Sequence, residues 1–334
     1  MFIVQNYSVA ILCCFITMLC WGSWANTQKL VTGKWRFELF YWDYVIGILV
    51  FSLVAAFTLG SWGSSGRSFT DDLAQASWSN IGSAFLGGII FNLANILLTA
   101  AIAIAGMSVA FPVGIGIALV LGVVINYLGL QKGDPAFLFG GVALITAAII
   151  LNAIAYKKSA ASVSKASTKG ILLSIIAGVL MSFFYRFIAV SMDLNNFVDP
   201  EPLKMTPYTA FVVFAVGIFV SNFLFNTIMM KKPLEGPPVS YKDYFSGRFS
   251  LHLVGVLGGA IWGTGNLLNL LAAGKAGPAV SYGLGQGATL VAAIWGVLVW
   301  KEFKHAKGKV TGLLIGMFAC FIVGLILIIF SGAS

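Results

Sequence analysis

One stretch of this chain occurs twice, and both copies are too apolar for water. LGGIIFNLANILLTAAIAIAGMSVAFPVGIGIALVLGVVI at 86–125 aligns without a gap to LGGAIWGTGNLLNLLAAGKAGPAVSYGLGQGATLVAAIWG at 257–296. The copies share Leu86/Leu257, Gly87/Gly258, Gly88/Gly259, Asn95/Asn266, Gly106/Gly277, Gly114/Gly285 and Gly116/Gly287. A duplicated unit with an odd number of membrane spans must lie in the bilayer in opposite directions. Inverted repeats of this kind let secondary transporters build two gates around one central site. The repeat therefore points to transport.

Composition narrows the choice further. Hydrophobic residues make up 59% of the chain and charged residues 9%, whereas a soluble domain carries about a quarter charged residues. The net charge of +9 is concentrated in loops, where membrane orientation calls for it, and no basic stretch interleaves with stacking aromatics, so nucleic acid is not a partner. Cys13, Cys14, Cys20 and Cys320 all lie in apolar runs, with the spacing of neither a disulfide framework nor a metal site. The apolar run 9–19 has no preceding Lys or Arg, which argues for a retained first helix rather than a signal peptide.

Runs long enough to span a bilayer are expected at 8–28, 42–61, 80–104, 108–128, 136–156, 170–192, 207–230, 253–273, 278–299 and 309–330. The expected fold is all-α and integral to the membrane, with ten transmembrane helices arranged as two inverted five-helix repeats. The repeats are 1–157 and 170–334, joined by the polar, basic linker 158–169 within KKSAASVSKASTK. Lys29, Lys34, Arg36, Lys157, Lys158, Lys165, Lys169, Lys231, Lys232, Lys242, Arg248, Lys301, Lys304, Lys307 and Lys309 fall on one side, and Arg67, Lys132, Lys204 and Lys275 on the other. The positive-inside rule then puts the linker in the cytoplasm and both termini outside, in a plasma or bacterial inner membrane.

Polar side chains within spans are the candidate site, because hydrocarbon penalises them. Asn92 and Asn95 share a face of the third span, and Asn266 and Asn269 a face of the eighth. They serve either as interhelical glue or as a pseudo-symmetric site for a neutral polar solute. Tyr185 and Arg186 lie in MSFFYRFIAVSM; Arg186 either snorkels to the interface or lines the cavity as a fixed donor. Trp24, Asn26 and Thr27 close the first span. Trp21 and Trp24 form either an aromatic belt or a stacking surface for a flat solute. Trp262, one turn before Asn266, and Gln286 in GLGQG complete the set. The glycines 283, 285 and 287, and Pro112, either pack helices closely or loosen them at a site. Asp43, in FYWDYV, is the acidic residue nearest a span interior. It is a candidate for proton coupling, or else a cap at a helix start. His252 and His305 are expected in loops. No P-loop, HExxH or GxSxG motif is present, so neither an enzyme nor a self-contained ATP-driven pump is expected. No cofactor and no metal are called for.

Ten spans in two halves resemble the drug/metabolite transporter superfamily. Within it, CWGSWANTQKL, FYWDYVIGILVFSLVAAFTLG, LGGIIFNLANILLTAAIAIAGMSVAFPVGIGI and KEFKHAKGK resemble the ureide permeases and their relatives, the glucose/ribose uptake porters. The resemblance implies transport of allantoin or related oxo-heterocycles such as uracil, with a proton as coupling ion, and adds weight to Trp24, Asp43 and Asn95. Ureide permeases of plants carry a long central cytosolic loop, and KKSAASVSKASTK is short. Small multidrug exporters of the superfamily use a glutamate in the first helix, and this chain has none there. The expected partners are a small-molecule substrate and the lipid bilayer, and the expected working unit is a monomer. A sugar porter and a metabolite or drug exporter are the competing readings.

Overall fold

The computed structural model describes residues 1–333 except 64, 106, 160–167, 234–235, 302 and 304–307. The described chain is helical, with only an isolated bridge between Met192 and Met205. In order the helices are α1 (Tyr7–Ser23), α2 (Ala25–Val31), α3 (Phe37–Phe57), α4 (Phe69–Gln75), α5 (Trp78–Ala105), α6 (Met107–Gly129), α7 (Pro135–Ser159) and α8 (Thr168–Val190). They continue with α9 (Pro207–Lys231), α10 (Tyr241–Phe245), α11 (Phe249–Ala276), α12 (Pro278–Gly285), α13 (Ala288–Ile294), a π-helical turn (Trp295–Val299) and α14 (Gly308–Ala333). Among the described residues nine helical segments are long and apolar enough to cross a bilayer, and a shorter apolar stretch, Val113–Gly129, lies in α6. The protein is an integral membrane protein. Most of the expected linker, together with Gly106 and His305, lies outside the described residues.

Two helix starts differ from expectation. α3 begins at Phe37 rather than near residue 42, because Arg36 adopts the N-cap conformation and Glu38 pairs with it at 2.8 Å in the first turn. Asp43 is therefore in the second turn of the helix and not a cap. α11 begins at Phe249 rather than near residue 253, which corrects the expectation that His252 is in a loop: it stands in the first turn. α6 runs through Pro112 without a break. The span 278–299 does break, at Gln286–Gly287 between α12 and α13.

Helices in lipid gain nothing from hiding apolar faces from one another, so close contact between small residues has to hold them. Large apolar side chains such as Leu12, Leu19, Val54, Phe223, Leu257 and Ile315 are turned outward, where hydrocarbon is their solvent. Inside, α5 packs on α8 and α9, α11 on α1 and α3, α6 on α8, and α7 on α14. Glycines set the closest crossings. Gly88 of α5 abuts the α9 backbone at Phe214 and Ile218, and Gly259 of α11 abuts the α3 backbone at Tyr44 and Ile48. Gly217 of α9 meets Phe85, and Gly47 of α3 meets Val256. Any side chain at these four positions would run into main chain.

At one end of the bundle the termini and loops are tied together. Tyr7 donates to the Ile329 carbonyl, and Phe2 and Tyr208 bridge the α3 end to the α9 start. At this same end Arg67 pairs with buried Asp72 at 2.9 Å and also donates to the carbonyls of Pro200 and Lys204. Burial, then repulsion from Lys275, pulls Lys132 below the ordinary lysine range in the loop before α7.

Candidate functional site

A cavity of about 130 Å³, room for a small solute, opens between α1, α5, α6, α8, α11 and the broken span. Five aromatic side chains, Trp21, Trp24, Phe91, Phe184 and Trp262, line it together with aliphatic ones. Trp21 stacks on Trp262 with centroids 5.9 Å apart and planes 13° from parallel. Phe91 packs on Trp262 at 4.6 Å and on Phe184 at 5.2 Å. Trp24, at the kink between α1 and α2, packs on Tyr44 at 4.6 Å. The polar lining is Asn95, Gln286 and Thr289. At the helix break beside the cavity the Gln286 carbonyl accepts from both the Thr289 hydroxyl at 2.9 Å and the Thr289 backbone N–H at 3.2 Å. Broken helices facing a cavity are a recurrent way of building solute sites inside membranes.

Three buried polar side chains around Trp262 have no protein partner: Trp21 Nε1, the Tyr44 hydroxyl and both amide atoms of Asn266. Trp21 shares the cavity wall with Trp262, Tyr44 packs edge-on to Trp262 at 6.4 Å, and Asn266 follows it by one helical turn. Buried polar groups are costly unless something hydrogen-bonds them. Trp21 is among the cavity's lining residues, and Tyr44 and Asn266 are not.

The other sequence-derived candidates occupy distinct positions. Of the set, Trp24, Asn95, Trp262 and Gln286 line the cavity. Asn92 sits behind the wall: it accepts from Tyr41 at 2.9 Å and donates to Ile218 O and Ser221 Oγ, while Tyr41 in turn accepts from Asn95 at 3.1 Å. Tyr185 and Asn269 form a network toward the terminal end. Asn269 donates to the Ser281 carbonyl at 2.9 Å, Ser281 donates back to Asn269, and the Tyr185 hydroxyl lies 3.2 Å from both Asn269 O and Ser281 Oγ. These contacts join α8, α11 and α12 into a plug on one side of the cavity. Asn26 accepts from Trp300 at 2.7 Å, Ser23 accepts from Trp295 at 2.8 Å, and Thr27 packs against Gly258. Arg186 rests its guanidinium on Gly129 at the C-terminal end of α6, and it is not among the lining residues.

At the opposite end from the plug, buried Asp43 gathers three donors from three segments. Trp35 Nε1 donates at 3.0 Å, the Tyr244 hydroxyl at 2.6 Å, and His252 Nδ1 lies 2.7 Å away. Burial, then the hydrogen bond to Asp43 and its charge, push Tyr244 well above the usual phenol range, so it remains a donor. The carboxylate thereby clasps α10 and the start of α11 to α3. Sequence reasoning missed His252 and Tyr244 because nothing local marks them. It missed Tyr41, Phe91 and Phe184 because single aromatic residues in an apolar run carry no signal of their own. Phe91 could have been found, since it occupies the repeat position of Trp262.

The family model for ureide permeases matches residues 40–169 and 155–331. Ureide permease 1 of Arabidopsis thaliana is 27% identical over 97% of this chain and 97% of its own length. Ureide permease 2 of the same plant is 26% identical over 96% of each. A protein of Streptococcus pyogenes serotype M1, named provisionally for sugar uptake, is 26% identical over 94% of this chain and 96% of its own. One solved crystal structure matches 97% of this chain and 96% of its own at a TM-score of 0.61 and 15% identity, which is a likeness of fold.

Proposed function

The chain belongs to the ureide permease family, a family of transporters and not enzymes, and on that premise we propose that it moves a small, neutral, planar solute, a ureide such as allantoin or a nucleobase, by alternating access. The observation that carries this is the cavity itself, with its tryptophan and phenylalanine walls and the amides of Asn95 and Gln286 at its edge. Flat faces take a planar ring, and amides both donate and accept. Among the described residues no charged side chain lines the space, which suits a solute without net charge.

Alternating access is supported by packing that repeats across the two halves. Gly88 against Phe214 and Ile218 is mirrored by Gly259 against Tyr44 and Ile48. Phe91 and Trp262, the same position in the two copies, meet at 4.6 Å with their planes tilted by 36°, as residues beside a two-fold axis do. Ile115 and Gln286, another matched pair, both line the cavity. The reading is of halves 1–157 and 170–334, inverted about the cavity and joined by a cytoplasmic linker at 158–169, with both termini outside. The plug of Tyr185, Asn269 and Ser281 is then the outer gate, closed, and the clasp on Asp43 lies on the cytoplasmic side. Asp43 with His252 is the candidate carrier of a coupling proton. One chain encloses the whole cavity, so a monomer suffices.

A sugar is the second reading, favoured by the name of the streptococcal relative. A thermal-shift screen of the detergent-purified protein against ureides, nucleobases, nucleosides and hexoses separates the two, because a ligand that binds only the folded state raises its apparent stability. Stabilisation by allantoin or uracil, followed by their uptake into proteoliposomes, is the expected result. Stabilisation by hexoses alone would replace the ureide reading with the sugar one.

A further inference from the structure

Behind the cavity wall a short hydrogen-bond chain has its direction set at its far end. On α9 the Ile218 carbonyl can only accept. The Ser221 hydroxyl donates to that same carbonyl at 3.1 Å, so its oxygen is left as an acceptor. Both atoms face one terminus of the Asn92 amide, at 3.2 and 2.9 Å. That terminus must be the NH2, because two acceptors face it. Asn92 Oδ1 therefore faces Tyr41, whose hydroxyl has to donate to it. The phenol oxygen is then left to accept from Asn95 Nδ2. Asn95 lines the cavity, and with its NH2 tied back to Tyr41 its Oδ1 is the end offered to a solute. Asn92 and Tyr41 are fully buried on α5 and α3 and neither lines the cavity.

We infer that Tyr41 and Asn92 are positioning residues that hold Asn95 as a hydrogen-bond acceptor, so that the site selects solutes carrying an N–H and rejects matched solutes in which that N–H is methylated. The inference deepens the ureide reading and rests on it. Ureides and nucleobases carry N–H groups next to their carbonyls, and an acceptor fixed in place before binding rewards the first and is left unpaired by an N-methyl group. Sites built to hydrogen-bond a particular N–H or O–H discriminate against its absence more sharply than apolar pockets discriminate against a methyl group.

The test compares uracil, thymine, 1-methyluracil and 3-methyluracil by dose-dependent thermal shift of the purified full chain. Thymine controls for the size of the added methyl, because it puts that methyl on carbon and keeps both N–H groups. The expected result is that uracil and thymine bind alike and at least one N-methyl isomer binds about tenfold more weakly or worse. In Tyr41→Phe the ratio between uracil and that isomer falls toward one, because the Asn95 amide loses the acceptor that orients it. A purely structural role for Tyr41 would weaken both ligands together and leave the ratio intact. Should Tyr41→Phe fail to fold, the same ratio is read in Asn92→Ser, which withdraws the acceptor that fixes the Tyr41 hydroxyl. Equal binding of uracil and both N-methyl isomers to the wild type, or an unchanged ratio in the variant, overturns the inference and leaves the ureide reading standing. No stabilisation by any of the four overturns the inference, and none by allantoin either overturns the ureide reading with it.

Discussion

Asn95 and Asn266 stand at the same position in two copies of one helix, yet one is wired and the other is open. Asn95 donates to Tyr41, which donates to Asn92. The glycine crossings set the register between α3 and α9: Tyr44 and Ile48 in one half correspond to Phe214 and Ile218 in the other. By that register Phe211 stands where Tyr41 does, and by the sequence repeat Gly263 stands where Asn92 does. The Phe211 ring end faces Gly263, in the place where the other half has a phenol hydroxyl on an amide. Two exchanges, Tyr for Phe and Asn for Gly, remove every partner, and both Asn266 amide atoms are left unbonded in the buried interior. The two copies of the repeat thus differ at this position, with one amide held in a fixed sense by neighbours and the other without a hydrogen-bond partner among the described residues.

The largest expected effect comes from deleting the open amide. Asn266→Leu should reduce uptake at least tenfold while leaving the protein as stable as the wild type or about 1–3 kcal/mol more stable, since an unpartnered buried polar group is removed. Loss of stability together with uptake would show that Asn266 has a structural partner after all. Asn95→Leu should reduce uptake by up to about tenfold as well, but at a cost in stability of about 1 kcal/mol or more, because Tyr41 loses the donor to its oxygen; thermal denaturation of the two variants side by side makes the comparison.

Phe211→Tyr sharpens the contrast by giving the second half the hydroxyl that the first half has. The Phe211 ring end and the Phe51 ring both lie against Gly263; once Phe51 shifts aside, a new hydrogen bond to Asn266 should stabilise the fold by about 1 kcal/mol and slow uptake several-fold by restraining the free amide. Faster uptake would mean that the openness of Asn266 serves no purpose. At the Asp43 clasp, which also lacks a counterpart because the α3–α9 register sets Val213 opposite Asp43, Asp43→Asn should remove the acceleration of uptake by an inward proton gradient while sparing counterflow exchange. Acceleration that survives would take the proton away from Asp43. Tyr244→Phe is the mildest, since Trp35 and His252 still hold the carboxylate: uptake is expected within about threefold of wild type, as one of several hydrogen bonds worth about 1 kcal/mol is lost.

The amino-acid sequence by itself determined the membrane class and most of the span limits, because hydrocarbon imposes one requirement, length and apolarity, that any apolar run reveals. It also determined the repeat, and with it the pairing of Asn95 with Asn266, because glycine at close crossings tolerates no substitute and so marks corresponding positions. It placed Trp24, Asn95, Trp262 and Gln286 among the candidates by their polarity or ring chemistry. Only the tertiary structure decided which candidates share a space. Asn92 and Asn269 have the same chemistry as Asn95, but their partners lie on other helices, so sequence spacing carries no trace of whether an amide is spent on a neighbour or left for a solute. His252 and Tyr244 reach Asp43 from segments some two hundred residues away, and Arg186 meets Gly129 rather than the cavity. These outcomes turn on the rotation of each helix about its own axis, which packing against neighbours fixes and which hydropathy along a nearly uniformly apolar helix leaves open.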